Sequence, residues 1–238
     1  MPGESRPPAA LPSRAAVLAA SAVLAAIAGF VDAACLVGLF GVFTAHVTGN
    51  IATLSSELIH PTTGYTLRLE VLAAYAGGAG LGRLATVRGR PSQATPVLRR
   101  LLALEALWLL ILLGAFATWG TPHDPDALTS QVFVFCAGAA MGTQSAISQL
   151  SAVLDHSTTM MTGNFTQWAI SGVDLLRRDR AVRRDARWRF VLLSAVLLVF
   201  ALGALTGALA QARFGLVVFV APAAAVCLLA LLPFSARA

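Results

Sequence analysis

The sequence contains no lysine; all 17 of its basic residues are arginine. Charge of either sign is scarce, at 12% of residues, where soluble globular chains carry about a quarter. Cysteine is limited to Cys35, Cys136 and Cys227, each inside an apolar run. An odd count without paired spacing offers neither a disulfide framework nor a metal motif, and reads as inert helix packing. There is no phosphate-cradling loop and no dinucleotide fingerprint. No Cys/His cluster has zinc spacing, and His156-Ser157-Thr158-Thr159 lacks the context of a nucleophile elbow. The expectation is therefore a protein with no cofactor, no metal and no catalytic residues.

Apolar residues, by contrast, make up 57% of the chain. They gather into runs of about 18 to 24, long enough to cross a hydrocarbon core roughly 30 Å thick. This pattern predicts an all-α polytopic membrane protein with about six transmembrane helices. A net charge of +6 and a pI near 10.5 would point to nucleic acid in a soluble protein. Here the arginines sit in short connections between apolar runs, where they set topology, so no nucleic-acid partner is expected. Arginine in place of lysine, together with abundant alanine, suggests a GC-rich genome.

Residues 1–14 read as a disordered tail. The apolar run 15–31 follows Arg14 and contains Ala26-Ile27-Ala28, as a cleavable leader would. It is long for a leader and continues past Asp32 to Phe43, which favours a retained first helix. Further spans are predicted at 69–87, 97–118, 130–150, 190–210 and 216–232. A first repeat (15–120), an extracytoplasmic linker (121–129), a second repeat (130–233) and a tail (234–238) result. Arg83, Arg88, Arg90, Arg99 and Arg100 surround the second connection, and Arg177, Arg178, Arg180, Arg183, Arg184, Arg187 and Arg189 crowd the fourth. Placing both termini in the cytoplasm leaves only Arg68 and Arg213 outside. The expected location is the bacterial cytoplasmic (inner) membrane, multi-pass, with lipid as the surrounding partner; the sequence sets no oligomeric state.

Segments 41–58 and 157–173 are moderately apolar but studded with Thr, Ser, Asn and Gly. If the first alone crossed, the arginine-rich second connection would move outside, against the charge bias. Both are expected to be re-entrant or broken, a loop running into a short helix, because irregular backbone survives at membrane depth only where its polar groups are satisfied.

These segments also carry an internal repeat. His46-Val47-Thr48-Gly49-Asn50 recurs as Met160-Met161-Thr162-Gly163-Asn164. Upstream, Gly29-Phe30-Val31-Asp32-Ala33 aligns with Gly142-Thr143-Gln144-Ser145-Ala146; downstream, Gly78 and Gly82 match Gly203 and Gly207. Three spans per half is an odd number, so the second half must be inverted relative to the first, a plan that recurs in secondary transporters.

Those same stretches, with the paired Thr-Gly-Asn tripeptides, resemble the YoaK family of bacterial integral membrane proteins over about residues 15–232. The family pattern reads Gly-Tyr-Val-Asp-Ala and Gly-x-Gln-Asn-Ala, where this chain has Phe30 and Ser145. The resemblance implies a multi-span membrane fold of unknown function and supplies no substrate or reaction.

Asp32, inside an otherwise apolar span, costs about 2.5–3.5 kcal/mol to insert. It either binds a cation, proton or polar substrate, or caps the broken helix nearby. Thr48, Gly49, Asn50, Thr162, Gly163 and Asn164 combine hydroxyl, flexible backbone and amide. They suit helix capping, and free N–H groups there could also hold an anion. Gln144 either completes a central polar site or bridges helices. His46 and His156 could titrate near neutral pH, though solvated histidines are the commoner outcome. Glu105 is expected to snorkel into an ion pair with Arg99 or Arg100. Gly78, Gly82, Gly203 and Gly207 are expected to pack helices, and the arginine stretch 177–189 to set topology and touch anionic lipid.

The expected function is a small transporter or channel-like permease for a small polar solute or ion. Asp32, Thr48, Gly49, Asn50, Gln144, Thr162, Gly163 and Asn164 would line a site near the midplane. The alternative is a non-transporting membrane component docking through its arginine stretch. An intramembrane enzyme ranks last, for want of an acid–base or nucleophile set.

Overall fold

A computed structural model describes residues 14–60, 63–87, 94–150 and 156–231. The N-terminal tail, Arg88, Arg90 and the C-terminal tail lie outside the described residues. Every regular element among those described is helical. In chain order they are α1 (Arg14–Gly38), α2 (Val47–Ile59), α3 (Tyr65–Thr86), α4 (Ala94–Trp119), α5 (Leu128–Leu150), α6 (Met161–Asp174) and α7 (Arg180–Phe214). A 3-10 turn (Gly215–Phe219) then leads to α8 (Val220–Leu231).

Three helical stretches are long and apolar enough to cross a membrane by themselves: Val17–Gly38, Pro96–Trp119 and Arg180–Leu231. The last covers 52 residues, about 78 Å of helix and far more than one bilayer. Gly215 divides it, with φ +66° in a region closed to most side chains, and beyond it α8 packs on α4. α7 also starts well before the expected 190. Asp179 accepts hydrogen bonds from the backbone N–H groups of Ala181 (2.8 Å) and Val182 (3.4 Å), an N-cap that makes most of the arginine stretch helical.

The surface is apolar where soluble proteins are polar. Leu198, Leu202, Leu205 and Leu209 form an exposed stripe on α7, and Leu107, Leu110 and Ile111 are exposed on α4. Asp32, Asn50, Glu105 and Gln144 are buried. Lipid as solvent removes the reason to hide leucine and makes unpaired polar groups costly outside.

Two helix pairs form the frame, α1 with α7 and α3 with α5. A Cβ on Gly203 would strike the Ala26 carbonyl and one on Gly207 the Phe30 carbonyl, while Gly29 abuts the Phe200 carbonyl. In the other pair Gly78 abuts the Ala139 carbonyl and Gly142 that of Tyr75; Gly82 faces Leu101 and Ala146. Residue numbers rise together along both pairs, so the partners run parallel. Small residues permit this approach, and dispersion across backbone-to-backbone contact then drives association without help from water. The Thr143 hydroxyl, 3.2 Å from the Gly78 carbonyl, adds a cross-helix hydrogen bond.

Gly80, two residues from Gly78, has open space around it. Gly78→Ala should destabilise the protein in detergent by about 1–3 kcal/mol through forced backbone separation. Gly80→Ala should be neutral or raise stability by up to about 1 kcal/mol through helix propensity. Thermal unfolding of both variants beside wild type measures the difference.

Candidate functional site

α1 ends at Gly38, and residues 39–46 run without helix to the start of α2. Two successive residues turn the chain with positive φ, Phe40 at +54° and Gly41 at +73°. Glycine tolerates this geometry; a phenylalanine there stores strain of about 1–3 kcal/mol, which the surrounding bonds must over-determine.

Asp32 supplies those bonds. It is 5% exposed, and its Oδ1 accepts hydrogen bonds from the backbone N–H groups of Thr44 (2.7 Å) and Ala45 (2.6 Å). The Thr44 hydroxyl lies 3.4 Å from the same oxygen. Its Oδ2 faces His46 Nδ1 at 2.5 Å. Asn50 clamps the same loop from the helical side: its Oδ1 accepts from Phe43 N–H (3.1 Å) and its Nδ2 donates to the Phe43 carbonyl (2.5 Å). Backbone groups that lipid cannot satisfy are thus met by two buried side chains.

His46 is half-buried, its ring edge-on to Phe43 (5.7 Å) and to Phe200 of α7 (6.0 Å). The hydrogen bond to Asp32 raises its pKa above the ordinary imidazole value, and partial burial opposes this more weakly. Across α2, buried Arg68 of α3 pairs with Glu57 (2.9 Å) and donates from Nε to Thr53 (2.9 Å). A polar network therefore runs from Asp32 through the loop and α2 to Arg68.

The second half places the same tripeptide in a similar local setting, bonded to hydroxyl and backbone groups. Asn164 Nδ2 donates to the Ser157 carbonyl (2.6 Å), seven residues back, as Asn50 does to Phe43. The Ser157 hydroxyl accepts from the N–H groups of Thr159 (3.2 Å) and Met160 (2.8 Å). Gln144 Nε2 donates to Thr158 Oγ1 (3.1 Å) and to the Leu24 carbonyl of α1 (2.7 Å). α6 is held to α7 by Trp168, which donates to Ser194 Oγ (2.8 Å) and stacks on Phe190 (5.3 Å).

A family model described as a protein of unknown function, DUF1275, matches residues 20–232. The chain belongs to the DUF1275 family. The likeness to YoaK proteins is consistent with this, since YoaK is a member of DUF1275. No curated protein and no solved structure matches the chain. Membership in the DUF1275 family fixes kinship and leaves the chemistry to be argued from the residues.

Of the eight residues expected to line one central site, the structure of this DUF1275 member does not bring all together. Asp32 and Asn50 meet on one loop, and Gln144 and Asn164 lie around the other. α2 packs on α3 and α6 on α7, with no contact between α2 and α6 among the described residues. Thr48, Thr162 and Gly163 are exposed and Gly49 half-exposed over the Phe43 ring, because the buried face of each short helix is taken by its asparagine. His46, expected to be solvated, is instead pinned to Asp32. Arg68, counted only as an outside charge, is a buried partner of Glu57; their separation across two elements gave no motif to find. Glu105 makes no ion pair with Arg99 or Arg100: it is fully buried, and Arg100 turns to the Ala85 carbonyl at 3.4 Å.

The raised value of His46 fixes the sign of a pH effect. Its contribution to stability is complete below the ordinary imidazole value of about 6.5 and is lost as pH rises through the raised one. The unfolding temperature of wild type relative to His46→Gln should therefore fall with rising pH across that window. Asp32→Asn should flatten the difference.

Proposed function

We propose that this protein is a small permease of the bacterial inner membrane for a small polar solute or ion. Six spans (α1, α3, α4, α5, α7 and α8) form two inverted three-helix repeats, with both termini in the cytoplasm and α2 and α6 re-entrant. The substrate contacts the Asp32–His46 loop. The observation that carries this reading is the pairing of the frame. Exchange of the two halves turns α1 beside α7 into α5 beside α3, and both pairs are parallel and joined at glycine. A loop-and-helix break at the same place in each half adds to it, since permeases built of inverted repeats set their sites at such breaks. The first break is the better binding site because a buried carboxylate there is paired with an imidazole beside strained backbone.

A second reading, a non-transporting component of a larger membrane assembly, draws on one observation. Arg180, Arg183, Arg184, Arg187 and Arg189 are all exposed on the first turns of α7. Such a surface suits an acidic partner or the anionic headgroups of the membrane equally well.

Flux through proteoliposomes decides between the two. Monovalent cations and small neutral and zwitterionic solutes should be screened against protein-free vesicles. Whichever solute moves should move about tenfold more slowly or worse with Asp32→Asn, the loss of at least about 1.4 kcal/mol of charged hydrogen bonding. No flux of any solute, or flux indifferent to Asp32, would favour the assembly reading.

A further inference from the structure

Glu105 takes no part in the site just described. It lies near the middle of α4 and is 0% exposed. Neither of its carboxyl oxygens has a hydrogen-bond partner among the described residues, and the buried indole N–H of Trp108 has none either. Three positions apart on one helix, the two side chains share a face. Leu101 and Ala146, both against Gly82, mark one level of the α4–α5 interface, and the Trp108–Phe135 ring contact marks another. Glu105 falls between them, among the buried apolar residues Leu102, Ala106 and Leu109.

Among the described residues, the elements packed on α4 bring no counter-charge to that level. α5, the 3-10 turn and α8 contain no Asp, Glu, His or Arg, and their titratable side chains are the thiols Cys136 and Cys227. α3 carries Tyr65, Arg68, Glu70, Tyr75 and Arg83. Arg68 is bound to Glu57 and Thr53; Glu70 lines a groove of about 270 Å³ with Gln131, Val132 and Phe135; Tyr65 and Arg83 are exposed. Tyr75 packs against the apolar core. On α4 itself Arg99 and Arg100 lie toward its start, Arg100 on the Ala85 carbonyl. An ionised carboxylate without a partner is strongly disfavoured in such a place, and one bound proton removes that penalty.

We propose that Glu105 is an intramembrane proton-binding site, protonated in this conformation and able to lose its proton only when water or a cation is admitted to α4. The site is separate from the Asp32 loop and stands whether or not a solute is transported. A ligand as small as a proton needs no cavity, and the indole N–H one turn away offers the donor that the ionised form would require.

Dicyclohexylcarbodiimide, which partitions into lipid and modifies protonated carboxyls, tests this on the full-length protein in liposomes. The acid passes its proton to a carbodiimide nitrogen and its oxygen adds to the central carbon; the O-acylisourea then rearranges to a stable N-acylurea. Mass spectrometry should find that adduct on Glu105 of the wild-type chain at neutral pH. Infrared spectra should show the carbonyl stretch of a protonated carboxylic acid in wild type that Glu105→Gln lacks. A Glu105 left unmodified at neutral pH, with a carboxylate band in place of the acid band, would overturn the proposal. The labelling of wild type reads the same result even if the variant fails to fold.

Discussion

The structure depends on the approach of helix backbones at positions that have no side chain. In lipid, leucine gains little by turning inward, so helices associate through packing, and packing is best where carbonyl meets glycine. Gly29, Gly203 and Gly207 bring α1 onto α7; Gly78 and Gly142 bring α3 onto α5. Each pair joins a helix from the front of the chain to one from the back. Neither half has this frame alone.

Once the frame is closed, the two non-helical stretches are committed to sit beside it, and their backbone groups must be satisfied locally. The halves solve that problem with different chemistry. The first uses a carboxylate and an imidazole, backed by an Arg68–Glu57 pair. The second uses a serine hydroxyl and an amide, backed by a tryptophan stack. The asparagine common to both does the same work in each, reaching seven residues back to a carbonyl of its own loop.

Much of this was legible from single residues whose cost had to be explained. Asp32 in an apolar run, two asparagines in two polar breaks, and glycines at four-residue spacing each pointed to a local role. Composition made the helical membrane class plain. What could not be read was which element each residue would face. Hydropathy gives the length of a span and says nothing of its neighbours, so a meeting of the two Thr-Gly-Asn segments was expected where each short helix instead lies on the helix that follows it. Arg68 counted as a topology signal because its partner is eleven places away on another helix. Sequence distance along α4 favours an ion pair of Glu105 with the arginines, whereas the facing of the helix turns it inward.

The glycine contacts also decide what can move as one piece. α1 cannot slide against α7, nor α3 against α5, without driving carbonyls into Cα atoms, so each pair behaves as a stiff bar. The seam between the bars is thin where α1 passes α5, and there the amide of Gln144 reaches the Leu24 carbonyl. A rearrangement that preserves both bars would have to open that seam, together with the contacts that α8 and the 3-10 turn make with α1. Its moving parts would each be a composite, built from one helix of either half.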